Sequence, residues 1–76
     1  MKPSAIEVRA VSALFQKDRE LMRLWRAASQ AGRVEAVTID EINYAVITDE
    51  PLLSYLQGKY HGIPVRGWDP ATRTLV

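Results

Sequence analysis

At Gly32 the spacing of the apolar residues changes, and with it the kind of structure this chain can build. Before it, apolar residues recur at Val8, Val11, Leu14, Phe15, Leu21, Met22, Leu24, Trp25 and Ala28, the three-and-four spacing of one helix face. After it, the stretch from Val34 to Thr48 is rich in Val, Ile, Thr and Tyr, whose branched or aromatic side chains suit a pleated strand. A chain of 76 residues has room for one core, and 47% apolar content is too much for a disordered segment. The expectation is therefore an α+β fold in a single small domain over residues 1–76.

Ser4-Ala5-Ile6-Glu7 has the S-x-x-E form of a capping box, in which serine and glutamate satisfy each other's free backbone donors at a helix start. With Gly32 as terminator, the pattern predicts one long N-terminal helix of up to about 27 residues, beyond the usual 8–20. Asp18 falls on the apolar face of that helix. Either the helix is kinked or broken near Gln16 to Asp18, with Asp18 capping a second segment, or the carboxylate is partnered where it sits.

Val34 to Ile39 and Ile42 to Ile47 read as two strands of a tight hairpin joined at Asp40-Glu41, a turn without the favoured glycine. A competing reading takes Thr38-Ile39-Asp40-Glu41 as a second capping box and makes 39–46 a short helix; the β-branched run after Tyr44 favours the hairpin. Thr48 or Asp49 then caps a short second helix, with Pro51 in its first turn and Leu52, Leu53, Tyr55 and Leu56 to bury. Residues 62–76 form a C-terminal hairpin around Asp69-Pro70-Ala71 or an extended, flexible tail.

Charge is distributed in blocks although the formal net charge is only +1. Residues 1–33 carry seven cations against three acids, residues 34–58 carry five acids and no cation, and the remainder carries three cations and Asp69. Within the first block Arg9, Ser12, Gln16, Arg19, Arg23, Arg26, Gln30 and Arg33 follow at steps of three or four, a polar stripe along one long helix. Guanidinium forks at that spacing grip carboxylates or phosphates. The expected partner-binding residues are Arg9, Arg19, Arg23, Arg26 and Arg33, with Arg66, Trp68 and Arg73 near the C-terminus, where tryptophan beside arginine has the composition of an interface hot spot. Trp68 alternatively folds back over the core, and Trp25 is expected inside it. A pI of about 8.1 lies below the value of about 9 usual for nucleic-acid-binding domains, so an acidic protein surface is the expected partner and nucleic acid the alternative.

Catalytic chemistry is sparse. There is no cysteine and one histidine, His61, so the usual transition-metal ligand sets cannot be assembled in one chain. The glycines form no phosphate-binding loop, and the adjacent acids Asp40-Glu41 and Asp49-Glu50 sit where turn and first-turn helix acids are common. No enzyme, no cofactor and no metal are expected. The N-terminus, Met1-Lys2-Pro3, leads into no apolar run long enough for a signal peptide or membrane span, so a cytoplasmic location without membrane contact is expected.

Gly32-Arg33-Val34 leading into the hairpin, with Leu52-Leu53-Ser54-Tyr55-Leu56 after it, resembles the small head-completion proteins of tailed phages over about half of the chain. Tyr44-Ala45-Val46-Ile47 followed by a helix resembles antitoxins of the prevent-host-death type. On the helical reading, Thr38-Ile39-Asp40-Glu41-Ile42-Asn43 and Gly62-Ile63-Pro64-Val65 are similar to the first region of primary sigma factors, with a shorter intervening segment. The function expected is that of a small non-enzymatic regulator of phage or mobile-element type, engaging an acidic partner such as transcription machinery, or nucleic acid, through the arginine-striped helix. The alternative is a structural assembly protein, such as a head-completion component, that acts by oligomerising.

Overall fold

The computed structural model describes residues 3–76, so Met1 and Lys2, which entered the reading of the N-terminus and of the first charge block, lie outside it. The chain opens with a strand, β1 (Ser4–Glu7), followed by a short helix α1 (Val8–Ser12) and, after a run of turns, by α2 (Arg19–Gln30). Next come β2 (Val34–Ile39), β3 (Ile42–Ile47), α3 (Glu50–Lys59), β4 (Arg66–Asp69) and β5 (Thr74–Leu75). The five strands form one antiparallel sheet in the order β2-β3-β1-β4-β5.

The α+β class holds, but the long N-terminal helix is corrected. Residues 4–7 form no capping box, although Glu7 immediately precedes α1 without a side-chain cap; they form the central strand, with Ala5 opposite both Val46 and Arg66 and Ile6 opposite Ala45. Ala5 and Ile6 are both fully inaccessible and point to opposite faces, Ile6 into the core beneath the helices and Ala5 into a second cluster on the other side. A capping box satisfies two backbone donors, whereas a central strand pairs on both edges and buries both faces. The non-local arrangement therefore prevails.

The helical pattern is also interrupted at Asp18. Its backbone is extended and its carboxylate accepts from the Leu21 N–H at 3.0 Å, so it is the N-cap of α2. Gly32 ends the same helix at φ +74, with Gly32 N–H bonded to the Ser29 carbonyl and Arg33 N–H to the Ala28 carbonyl, the Schellman pattern. The hairpin forms at Asp40-Glu41, both residues at positive φ, and residues 39–46 are not helical. Asp49 caps α3 through the Leu52 N–H. The last fifteen residues carry the hairpin of β4 and β5, turned by an Asp69 carboxylate that accepts from the Ala71 N–H.

Two apolar clusters lie on the two faces of the sheet. Ile6, Ala45 and Ile47 meet Val11, Leu21, Ala28, Leu52, Leu53 and Leu56 of the helices. On the opposite face Ala5, Tyr44, Val46 and Trp68 pack with Val37, Ile39 and Leu75. Trp68 is 6% exposed and so covers the core; it does not project toward a partner. The sheet curls around this second cluster far enough that Arg73, just before β5, reaches Glu35 on β2.

Candidate binding surface

The arginines expected to form one stripe occupy three separate regions. Arg9, on α1, lines a hollow with Glu41 and Ile42, and Arg33 follows α2 with its guanidinium 3.7 Å from the Asp49 carboxylate. Arg66 and Arg73 lie on the curled sheet, where Arg73 stands 5.8 Å from the Trp68 ring. Of the arginines in the expected stripe, only Arg19, Arg23 and Arg26 share one surface, the outer face of α2. Arg23 is engaged by the adjacent Glu20, with Nε to Oε1 at 2.8 Å and Nη2 to Oε2 at 2.6 Å. The same pair lowers the proton affinity of Glu20 and raises that of Arg23. Arg19 and Arg26 are exposed and form no ion pair among the described residues.

Apolar groups interleave with these cations. Met22, 37% exposed, separates a hollow of about 340 Å³ bordered by Arg19, Arg23, Arg26 and Gln30 from one of about 330 Å³ bordered by Phe15, Trp25, Arg26 and Ser29. Trp25 is half-buried and packs edge-on against Phe15, with centroids 5.2 Å apart. It had been expected inside the core, yet it stands at the core's rim. Sequence reasoning missed Phe15, Met22 and Trp25 as parts of this surface because their spacing places them on the apolar face. Their available signal was excess, since one short helix over a small sheet cannot bury every apolar residue from Val8 to Ala28.

The orientation of this face is set by Asp18, which is 5% exposed and serves two roles. Besides capping α2, its carboxylate accepts from the Tyr60 hydroxyl, from the Tyr55 hydroxyl at 2.9 Å to each oxygen and from Lys59 Nζ at 3.2 Å. These donors come from α3 and the residue after it, so one buried anion ties the start of α2 to the end of α3. Tyr60, the Leu21 N–H, Tyr55 and Lys59 together hold the Asp18 carboxyl far below its ordinary range, against the opposing effect of burial. Hydrogen bonding to Tyr55 and to Asp18 raises the Lys59 ammonium, and the bond to Asp18 raises Tyr60. Asp18 is 5% exposed and its carboxylate is engaged by four donors, so the network acts as a fastener that holds α2.

Among the described residues there is no group of three or more His, Cys, Asp or Glu that could hold a metal ion, and His61 is exposed in a turn. No helix among those residues is long and apolar enough to cross a membrane. No protein-family model matches the chain, no curated protein matches it and no solved structure matches it, so the resemblances to head-completion proteins, antitoxins and sigma factors gain no support.

Proposed function

We propose that this chain is a small non-enzymatic binding protein whose α2 face engages an acidic surface of a partner protein, in the manner of a regulator. The observation that supports this reading is the pair Arg19 and Arg26, unpaired among the described residues, flanking Met22 and the half-buried Trp25. Arginine and tryptophan around an exposed methionine is the composition of protein interface hot spots, where apolar anchors exclude water from charge-assisted hydrogen bonds. Nucleic acid is the weaker reading because the apolar groups at the centre of this face have no counterpart in a phosphate backbone. Transcription machinery is one class of target that presents such acidic surfaces.

The test uses a labelled acidic peptide with leucine and phenylalanine spaced at helical intervals, titrated against the protein while Trp25 emission is followed. Arg19→Gln combined with Arg26→Gln should weaken binding by at least about 100-fold, since each charge-assisted contact contributes about 1.5–3 kcal/mol. Arg23→Gln should matter less because Glu20 already holds that side chain. Equal affinity of wild type and double variant would refute the reading. A steep loss of affinity for duplex DNA with rising salt, at the same residues, would replace the protein partner with nucleic acid.

A further inference from the structure

The curled sheet has two free edges. Among the described residues β2 pairs only with β3, and β5 only with β4. The two edges are bridged where Arg73 bonds Glu35, and residues of both border a cleft of about 650 Å³, the size range of ligand sites. Ile39, Tyr44 and Leu75 form its apolar surface, Arg66 and Arg73 its cationic wall, and Thr38 and Thr74 stand on the facing strands. Asp40 also borders it, and Arg66 has no ion pair among the described residues.

The hydrogen-bonding groups on the β2 edge can be assigned from its turn. In a two-residue hairpin the residues flanking the turn exchange both backbone bonds, and bonded pairs alternate with unbonded ones along the ladder. Ile39 with Ile42, Val37 with Tyr44 and Glu35 with Val46 are therefore bonded, and the bond from Thr48 N–H to the Arg33 carbonyl continues the alternation. The N–H and C=O groups of Ala36 and Thr38 consequently face away from β3, toward the free edge. The usual guards against edge pairing are missing from Val34 to Ile39: there is no lysine, no proline and no bulge, and the one charge, Glu35, is held by Arg73.

We propose that this cleft receives an extended segment of a partner protein as a sixth strand along β2, with an acidic side chain directed at Arg66 and apolar side chains against Ile39, Tyr44 and Leu75. An extended chain is the ligand that satisfies a row of alternating backbone donors and acceptors, and Arg66 selects its charge. A second copy of this chain would bring its β2 attached to a hairpin and helices, so a free extended segment is the better fit to a cleft bordered by both edges. The site lies on the sheet face opposite the helices and does not depend on the α2 reading.

Amide hydrogen exchange of the full chain, followed by NMR, tests this with a capped hexapeptide bearing valine, glutamate and valine at alternate positions and threonine between them. At saturating peptide the Ala36 and Thr38 amides should slow by at least about tenfold while Val37 and Ile39, already bonded, stay unchanged. Ala36→Pro removes an outward N–H and leaves the ladder to β3 intact, so it should abolish binding. Arg66→Gln should weaken the glutamate peptide by about tenfold and leave its glutamine analogue unaffected, which keeps the test valid if the proline variant does not fold. Arg19→Gln with Arg26→Gln should bind the hexapeptide as wild type does. Peptide binding without protection of Ala36 and Thr38, no binding at millimolar peptide, or protection that grows with protein concentration alone would each overturn the proposal.

Discussion

Arg73 Nη2 lies 2.5 Å from Glu35 Oε2, although the two residues belong to opposite ends of the strand order. Both side chains are more than half exposed, at 56% and 53%, so the contact is a surface clasp in water. Such pairs add little to stability. What it does instead is geometric, since it links β2 to the turn before β5 across the open side of the sheet.

Glu35→Gln is accordingly expected to leave the thermal midpoint within about 2 °C of wild type while loosening β5. Faster amide exchange at Leu75 with an unchanged melting curve is the expected result. A large fall in midpoint would mean that the clasp supports the core.

Asp18 dominates the response to acid. Its folded-state pKa is depressed below the ordinary 3.8, mainly by the Tyr60 hydroxyl and the Leu21 N–H, so its contribution is complete above that value and is lost as pH falls below it. Lys59 and Tyr60 are raised from 10.5 and 10.0, so their contributions are complete below those values and fade as pH climbs through them. Thermal midpoints should be flat between about pH 5 and 9 and fall on both sides. Asp18→Asn should melt lower at pH 7 and lose much of the acid limb, and an acid limb as steep as wild type would exclude this network as its cause.

The hairpin turn joins a residue that tolerates its conformation, Asp40, to one that resists it, Glu41. Asp40 at φ +52 and Glu41 at φ +68 both occupy the left-handed region, where a residue with a β-carbon costs roughly 1 kcal/mol. Asp40→Asn with Glu41→Gly supplies the favoured dipeptide and should stabilise by about 1 kcal/mol, a midpoint rise of roughly 4–8 °C in a domain of this size. A neutral or lower midpoint would show that the two carboxylates stabilise the fold.

The two tryptophans should behave differently. Trp68 sits in the second cluster and its replacement by alanine should cost about 3–5 kcal/mol, enough to unfold a chain this small. Trp25→Ala should cost less because that ring is half-exposed beside Phe15. Iodide should quench Trp25 emission and leave Trp68 emission, and the reverse order would contradict this placement.

Signals confined to a few neighbouring residues were legible in the sequence. The Gly32 terminator, the strands on either side of Asp40-Glu41, the Asp49 cap with Pro51 and the turn at Asp69-Pro70 each depend on backbone preferences of one to four residues, and each forms. Asp18 was legible as an irregularity, and it both breaks the helix and finds partners. Ser4-Ala5-Ile6-Glu7 misled because its local pattern is a sound helix start. Nothing within four residues reveals that β3 and β4 will lie on either side of it.

The binding surface divides in the same way. Arg19, Arg23 and Arg26 share a face because helical geometry alone places residues three and four apart together. Extending the stripe to Arg9 and Arg33 assumed one uninterrupted helix, but Arg9 lies before the break at Asp18 and Arg33 past the Gly32 terminator. For this protein the sequence by itself determined the α+β class, the hairpin, the caps and the charge blocks, all of which follow from local conformational energies and composition. Tertiary structure alone decided that the chain begins with a central strand, that Trp68 is core, that Tyr55, Lys59 and Tyr60 gather on Asp18, and that β2 and β5 face each other across a cleft. Those outcomes depend on pairing and burial between residues distant in the chain, whose energies no short stretch of sequence contains.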